Sequence, residues 1–249
     1  MNTTMINPPE NFRSASRERL RRWTGGVTRV VSAAALMLTM IVAGACNIAG
    51  PAGYLILGPE KSKPVWTPPG RDAVGVILID DPQSIIPLRA LRDTIGTEAE
   101  ELLLAQGVFK DMVASRLAAA HVRSERFGAP ISVADVGREV NANYVIHAVV
   151  RAFMLTQDGQ TFSPLAVLDV RVVDVKQEEQ VFPPPDAPTA FAALTTDLRI
   201  EGLNLPDSSA GRRQAMDDLA RYTGRKLARM FYEHVDQGPP ARLQDIRKR

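Results

Sequence analysis

One stretch limits everything after it: Val30–Cys46, VVSAAALMLTMIVAGAC, which carries no charge and ends in the only cysteine of the chain. Arg13, Arg17, Arg19, Arg21, Arg22 and Arg29 precede it, against only Glu10 and Glu18. A basic segment followed by an apolar run is the pattern of an export signal, because positive charge stays on the cytoplasmic side. Residues from Cys46 onward are therefore expected outside the cytoplasm. The run Val30–Ala45 is shorter than the ~20 residues needed to span a bilayer. Residues 47–50 and Tyr54–Leu57 would have to extend it. Three alternatives stand at this point: a cleaved signal, an uncleaved signal anchor, and a buried segment of a cytoplasmic protein. Arg21-Arg22-Trp23 has the arginine pair of the twin-arginine export route, but its surroundings match that motif poorly, and the pair reads as ordinary signal charge.

The run closes on Ala43-Gly44-Ala45-Cys46, small residues ahead of a cysteine. This resembles the lipobox of bacterial lipoproteins, where a peptidase cuts before the cysteine and the thiol is acylated. The resemblance covers those four residues and the signal architecture; Ala43 stands where a leucine is common. It implies lipidation at Cys46. It also implies anchoring by several acyl chains, since one chain binds a membrane only marginally. In many such lipoproteins an aspartate after the cysteine retains the protein in the inner membrane. Asn47 occupies that place here, so the analogy implies the outer membrane.

Without its first forty-five residues, a chain of 249 keeps enough length for one domain with its own core. The formal net charge is +2, and part of the positive charge sits in the signal. The remainder is near neutral, which gives no electrostatic case for nucleic acid. One cysteine excludes an internal disulfide framework. His121, His147 and His234 are far apart and show no metal-ligand spacing. Neither a metal nor a cofactor is expected. The organisation read from composition is a signal peptide or signal anchor over 1–45, a lipidated proline-rich tether over 46–72, an α/β domain over 73–237, and a basic flexible tail over 238–249. Prolines in Glu60–Gly70 deny helix and keep the tether extended. Trp66 within it suits either a membrane interface or the edge of the domain.

The domain reads as α/β (α+β), two-layer or three-layer-like, with a mixed sheet of about four to five strands and helices mainly on one face. Val74–Asp80 is continuously apolar and β-branched, the signature of a central strand buried on both faces. Leu88, Leu91, Ile95, Ala99 and Leu102 recur at helical spacing, with Pro87 at the start and Gly107 as the stop. A short strand is expected in the second half of 108–115 and a helix over Arg116–Arg126. Ser132 with Asp135 resembles a capping box ahead of a short helix through Val133, Val136 and Val140. Tyr144–Leu155 and Leu165–Val175 form a hairpin turned at Asp158-Gly159. Its one face is apolar; its other face carries His147, Arg151, Asp169 and Arg171. Val181–Pro188 is expected to leave the sheet, and Ala190–Leu205 to be a short helix or irregular loop. A long helix over about 210–235 is capped by Asp207-Ser208-Ser209 and stopped by Gly238-Pro239-Pro240, its apolar stripe running through Met216, Leu219, Ala220, Thr223, Leu227, Met230 and Phe231.

The stretch Ile131–Val175, with VGREVNANYVI leading into a strand and AVLDVRVVDVK ending the hairpin, resembles part of the α/β domain of the curli-secretion lipoprotein and of the amino-terminal domain of TolB. Asp174 matches an aspartate often found near the end of that second strand. The resemblance implies a lipid-anchored or periplasmic assembly component, not an enzyme. No long hydrophobic hairpins are present to build a membrane pore, so a channel role is not carried over.

Catalytic signatures fail: there is no G-x-S-x-G, S-x-x-K, H-E-x-x-H or glycine-rich phosphate loop. Asp80-Asp81 after a buried strand has the look of a receiver-domain acidic pair, but Asp135 falls in a helix turn, so a turn at Asp81-Pro82 is the simpler reading. His121 and His234 read as helix packing. His147, Arg151, Asp169 and Arg171 form a candidate polar recognition face, or a solvated sheet face with cross-strand pairs. The expectation is thus a non-catalytic envelope subunit, anchored through Cys46, with protein partners or copies of itself. The alternatives are an uncleaved single-span protein and a periplasmic hydrolase using Asp80, Asp81 and His147, which requires those three to converge.

Overall fold

The computed structural model describes residues 61–70, 72–124, 131–198 and 205–235. The apolar run, Cys46, residues 125–130 and 199–204, and the tail lie outside the described residues. In chain order the elements are β1 (Lys61–Ser62), β2 (Val74–Asp80), α1 (Arg89–Ala105), β3 (Asp111–Val113), α2 (Ser115–Ser124), α3 (Val133–Glu139), β4 (Tyr144–Met154), β5 (Leu165–Asp174), β6 (Glu179–Phe182), β7 (Ala192–Asp197), α4 (Ser209–Arg229) and β8 (His234–Val235).

The main sheet is six-stranded, with mixed parallel and antiparallel pairing, in a domain of α/β class. β2 lies between β3 and β4 and runs parallel to both. That position explains its unbroken apolar sequence: five of its seven residues are buried because both faces are covered. β5 returns antiparallel to β4, and β6 and β7 share the other side of β5. On one face Ile77, Ile146, Leu168 and Val170 pack under Leu91 and Ile95 of α1 and Leu219 and Leu227 of α4. On the other, Val76, Leu78, Val145 and Val175 meet Ala118 of α2 and Val136 of α3. The two long helices thus share one face and the two short ones cover part of the second.

Local chemistry sets several boundaries. Gly107 adopts φ 65°, and its N–H and that of Val108 donate to Leu104 and Leu103, a Schellman stop for α1. Ser132 accepts from the Asp135 N–H and donates to its carboxylate, capping α3. Ser208 accepts from the Gly211 N–H at the start of α4. Glu100 accepts from the Ser115 N–H, tying α1 to the start of α2, and burial raises its carboxyl above the usual range.

Four expectations are corrected. Val181 and Phe182 do not leave the sheet; they belong to β6, and the chain departs only at the cis Phe182–Pro183 bond. Ala192–Asp197, expected as helix or loop, is the edge strand β7. Its sequence, AALTTD, has little strand propensity of its own, and pairing with β5 decides its conformation. The last helix ends at Arg229 rather than near 235, because Phe231 turns into the core and His234–Val235 pairs with β1. With β6 and β7 the sheet exceeds the expected four to five strands.

The pairing of β1 with β8 fixes where the chain enters the domain. Val65 N–H donates to Met230 at 2.7 Å. The Trp66 ring stands edge-on to Tyr144 at 5.2 Å and to Phe231 at 6.3 Å. Of the two surroundings open to Trp66 in the sequence, the domain edge is the one it occupies. No helix among the described residues is long and apolar enough to cross a membrane.

Candidate functional site

The residues that carry chemistry gather on the second face of the sheet. β2 and β4 are in parallel register, with Leu78 beside His147 and Asp80 beside Val149. Alternation therefore sends the Asp80 and His147 side chains to one face. His147 Nε2 lies 3.3 Å from the Asp80 carboxylate. Across the β4–β5 ladder His147 is directly opposite Arg171, and the Arg171 Nε–H donates to His147 Nδ1 at 3.0 Å. Arginine has no acceptor, so Nδ1 must offer its lone pair and the imidazole proton sits on Nε2, facing Asp80. The imidazole is held between an anion and a cation and is only 5% exposed.

The rest of the face follows. A bulge in β4 between Val150 and Ala152 displaces Arg151 from regular pairing, and its Nε donates to Asp169 at 2.6 Å. Arg151 is exposed and Arg171 half-buried. Phe191 lies under the Arg171 guanidinium at 5.0 Å and 6.5 Å from the imidazole centre. No sequence signal singles out Phe191, because it precedes a strand that has no strand pattern. The hydrogen bond from His147 holds the Asp80 carboxyl below the usual range; burial opposes this, and Arg92 adds a smaller pull. Burial also draws the Arg171 guanidinium downward, with Asp80 countering it.

The structure therefore brings Asp80 and His147 together but not Asp81. The buried Asp81 carboxylate turns back to accept from the Ile85 and Ile86 N–H groups at 2.8 and 3.0 Å, closing the loop before α1. Beyond the end of β2 is a cleft of about 90 Å³ lined by Asp80, Asp81, Arg89, Arg92, Asp93 and Ser115, among others. His121 is half-buried on α2, and His234 contacts the Tyr232 carbonyl at 3.1 Å. No group of three or more His, Cys, Asp or Glu among the described residues is placed to hold a metal ion. Both His147 nitrogens are engaged within the protein, Nε2 with Asp80 and Nδ1 with Arg171.

One acid-stability result follows from Asp80. Its folded pKa is depressed, so it stabilises the fold above the ordinary carboxylate value of 3.8, and this contribution is lost as pH falls through the lower folded value. Asp80→Asn is expected to lower stability near neutrality and to converge on the wild type only in strong acid, as pH falls below 3.8 and through the lower folded value. Unfolding curves at a series of pH values check this; a difference that stays constant into strong acid would remove the charge from the account.

No protein-family model matches the chain, and no curated protein matches it. Among solved structures it is similar to the PelC dodecamer from Paraburkholderia phytofirmans, with 16% identity over 70% of this chain and 97% of that one, at a TM-score of 0.38. A hypothetical protein from Chlamydia trachomatis is similar at 13% identity over 63% of this chain and 93% of its own, TM-score 0.40. A lipoprotein from Neisseria meningitidis is similar at 10% identity over 57% of this chain and 91% of its own, TM-score 0.32. Likeness of this degree is slight.

Proposed function

We propose that the chain is a membrane-anchored, non-catalytic subunit of a bacterial envelope assembly, lipidated at Cys46, with its α/β domain on the periplasmic side. The observation that carries this reading is the basic start and uncharged run ending in Ala43-Gly44-Ala45-Cys46. The domain geometry supports the non-catalytic part, since its one buried histidine is saturated by Asp80 and Arg171. The stripe of the last helix supports the location of contacts. Leu219, Ala220, Leu227 and Phe231 are buried against the domain's own core, so that helix has no apolar face left for a partner. Sheet edges remain: among the described residues nothing pairs with the outer side of β3 or of β7. Asn47 favours the outer membrane by analogy.

The test is the intact mass of the membrane-extracted protein beside Cys46→Ala. Loss of the first forty-five residues with an acyl-sized gain, absent in the variant, is the expected outcome. A full-length unmodified mass would overturn lipidation and leave the uncleaved anchor. Crosslinking in intact cells tests the assembly part, and recovery of monomer alone would sink it. A second reading, a hydrolase, has one observation in its favour, the 3.3 Å contact of His147 with Asp80. It needs a substrate to displace Arg171, and Asp81 is committed to its loop.

A further inference from the structure

The segment 183–191 leaves and rejoins one edge of the sheet at a single residue. β6 pairs with β5 as far as Val172 opposite Phe182, and β7 resumes with Val170 opposite Ala192. Arg171 sits at the gap between the two pairings. The nine residues 183–191 make the excursion, and their last member, Phe191, returns onto the Arg171 guanidinium at 5.0 Å. Arg171 is in turn fixed by its hydrogen bond to His147 Nδ1. Among the described residues the excursion is held by short-range bonds: the Gln180 side-chain amide of β6 donates to the Pro183 carbonyl at 2.9 Å, the Ala187 N–H to Pro184, and the Thr189 hydroxyl to the Phe191 carbonyl.

We propose that His147 is a pH-operated latch on the 183–191 crossover. Protonation at Nδ1 removes the acceptor that holds Arg171 and sets an imidazolium against a guanidinium 3.0 Å away. Arg171 then turns toward solvent, and Phe191 loses the cation on which it rests. The crossover opens in acid and closes near neutrality. The groups facing the imidazole are Asp80 from β2 and Arg171 from β5; Arg92 of α1 acts on Asp80. The Arg151–Asp169 pair lies farther along β4 and β5; α2 and α3 pack on this face through Ala118 and Val136, and α2 also carries the half-buried His121. Asp80 alone would remain bonded to the protonated ring, so the change is confined to the Arg171 side. The inference concerns the domain itself and stands whether or not Cys46 is lipidated.

The test is hydrogen exchange of the full chain in detergent, read by mass spectrometry at about pH 7.5 and about pH 5, the window in which imidazoles change charge. After correction for the intrinsic pH dependence of exchange, protection over 183–191 is expected to fall at least about tenfold in acid, while that of β2 and β4 holds. His147→Asn keeps an acceptor for Arg171 but cannot titrate, so its crossover is expected to stay protected at both values. Arg171→Gln is expected to be open at both. Equal wild-type protection at the two values would overturn the latch. So would an acid-dependent fall that persists in His147→Asn or in Arg171→Gln, since another group would then be responsible.

Discussion

Phe231→Ala is expected to destabilise the chain by about 3–5 kcal/mol, the range for removing a fully buried aromatic side chain. Phe231 has no exposed surface and closes the end of the main core just past α4. Its ring is also one wall of the Trp66 site, with Tyr144 the other. Edge-to-face pairs of this kind add about 0.5–1.5 kcal/mol beyond area burial. The loss is therefore double: a cavity in the core and a loosened Trp66. Urea unfolding should show a lower midpoint with an unchanged slope. Trp66 emission should shift to the red. A midpoint shift worth less than about 1 kcal/mol would mean that α4 collapses into the space and that Phe231 is not the keystone assigned here. Met154→Ala, on an exposed side chain, is the control and should stay within about 0.5 kcal/mol.

Gly224→Val is expected to cost about 3 kcal/mol, at the upper end for overpacking a helix contact. A Cβ at position 224 would lie 2.5 Å from the Ile95 carbonyl oxygen, a backbone atom of α1. Backbone cannot rotate aside as a side chain can, so α1 and α4 must separate. That separation strains the contacts of Ile95, Ala99, Leu219 and Ala220, all fully buried. It also stretches the ion pairs of Glu98 with Arg221 and Arg225, at 2.9 and 3.1 Å. Gly224→Ala should cost less, because one methyl demands a smaller shift and alanine recovers about 1 kcal/mol of helix propensity. The ordering wild type, Ala, Val in urea midpoints is the check. A valine variant as stable as the wild type would show that the helices part freely at this crossing.

The strong local patterns were legible in the sequence. Val74–Asp80 is apolar throughout because it is covered on both faces, and that alone placed it inside the sheet. The α1 stripe through Leu91, Ile95 and Ala99 and its stop at Gly107 follow from periodicity and from the left-handed conformation that glycine accepts without strain. Ser132 and Ser208 were identifiable as caps because their hydroxyls satisfy N–H groups a few residues away. Strand alternation put His147 on the second face and Asp169 and Arg171 on the facing strand, whereas the position of Arg151 is set by the bulge between Val150 and Ala152, which alternation does not show.

What only the tertiary structure decided involves partners distant in the chain. AALTTD becomes a strand because β5 has a vacant edge, a fact no window around residue 192 contains. Asp80 and His147 meet because two strands sixty-seven residues apart run parallel in one register. Phe191 reaches Arg171 because the chain breaks its pairing at one point and returns there. β1 finds β8 only after α4 has brought His234 and Val235 back beside Lys61 and Ser62. The basic start and the uncharged run up to Cys46, the pattern of an export signal, need no fold to be read, since charge and hydropathy along the chain are what a membrane meets. The trio of Asp80, His147 and Arg171 exists only once the sheet is formed, because its bonds join three strands that lie far apart in the chain.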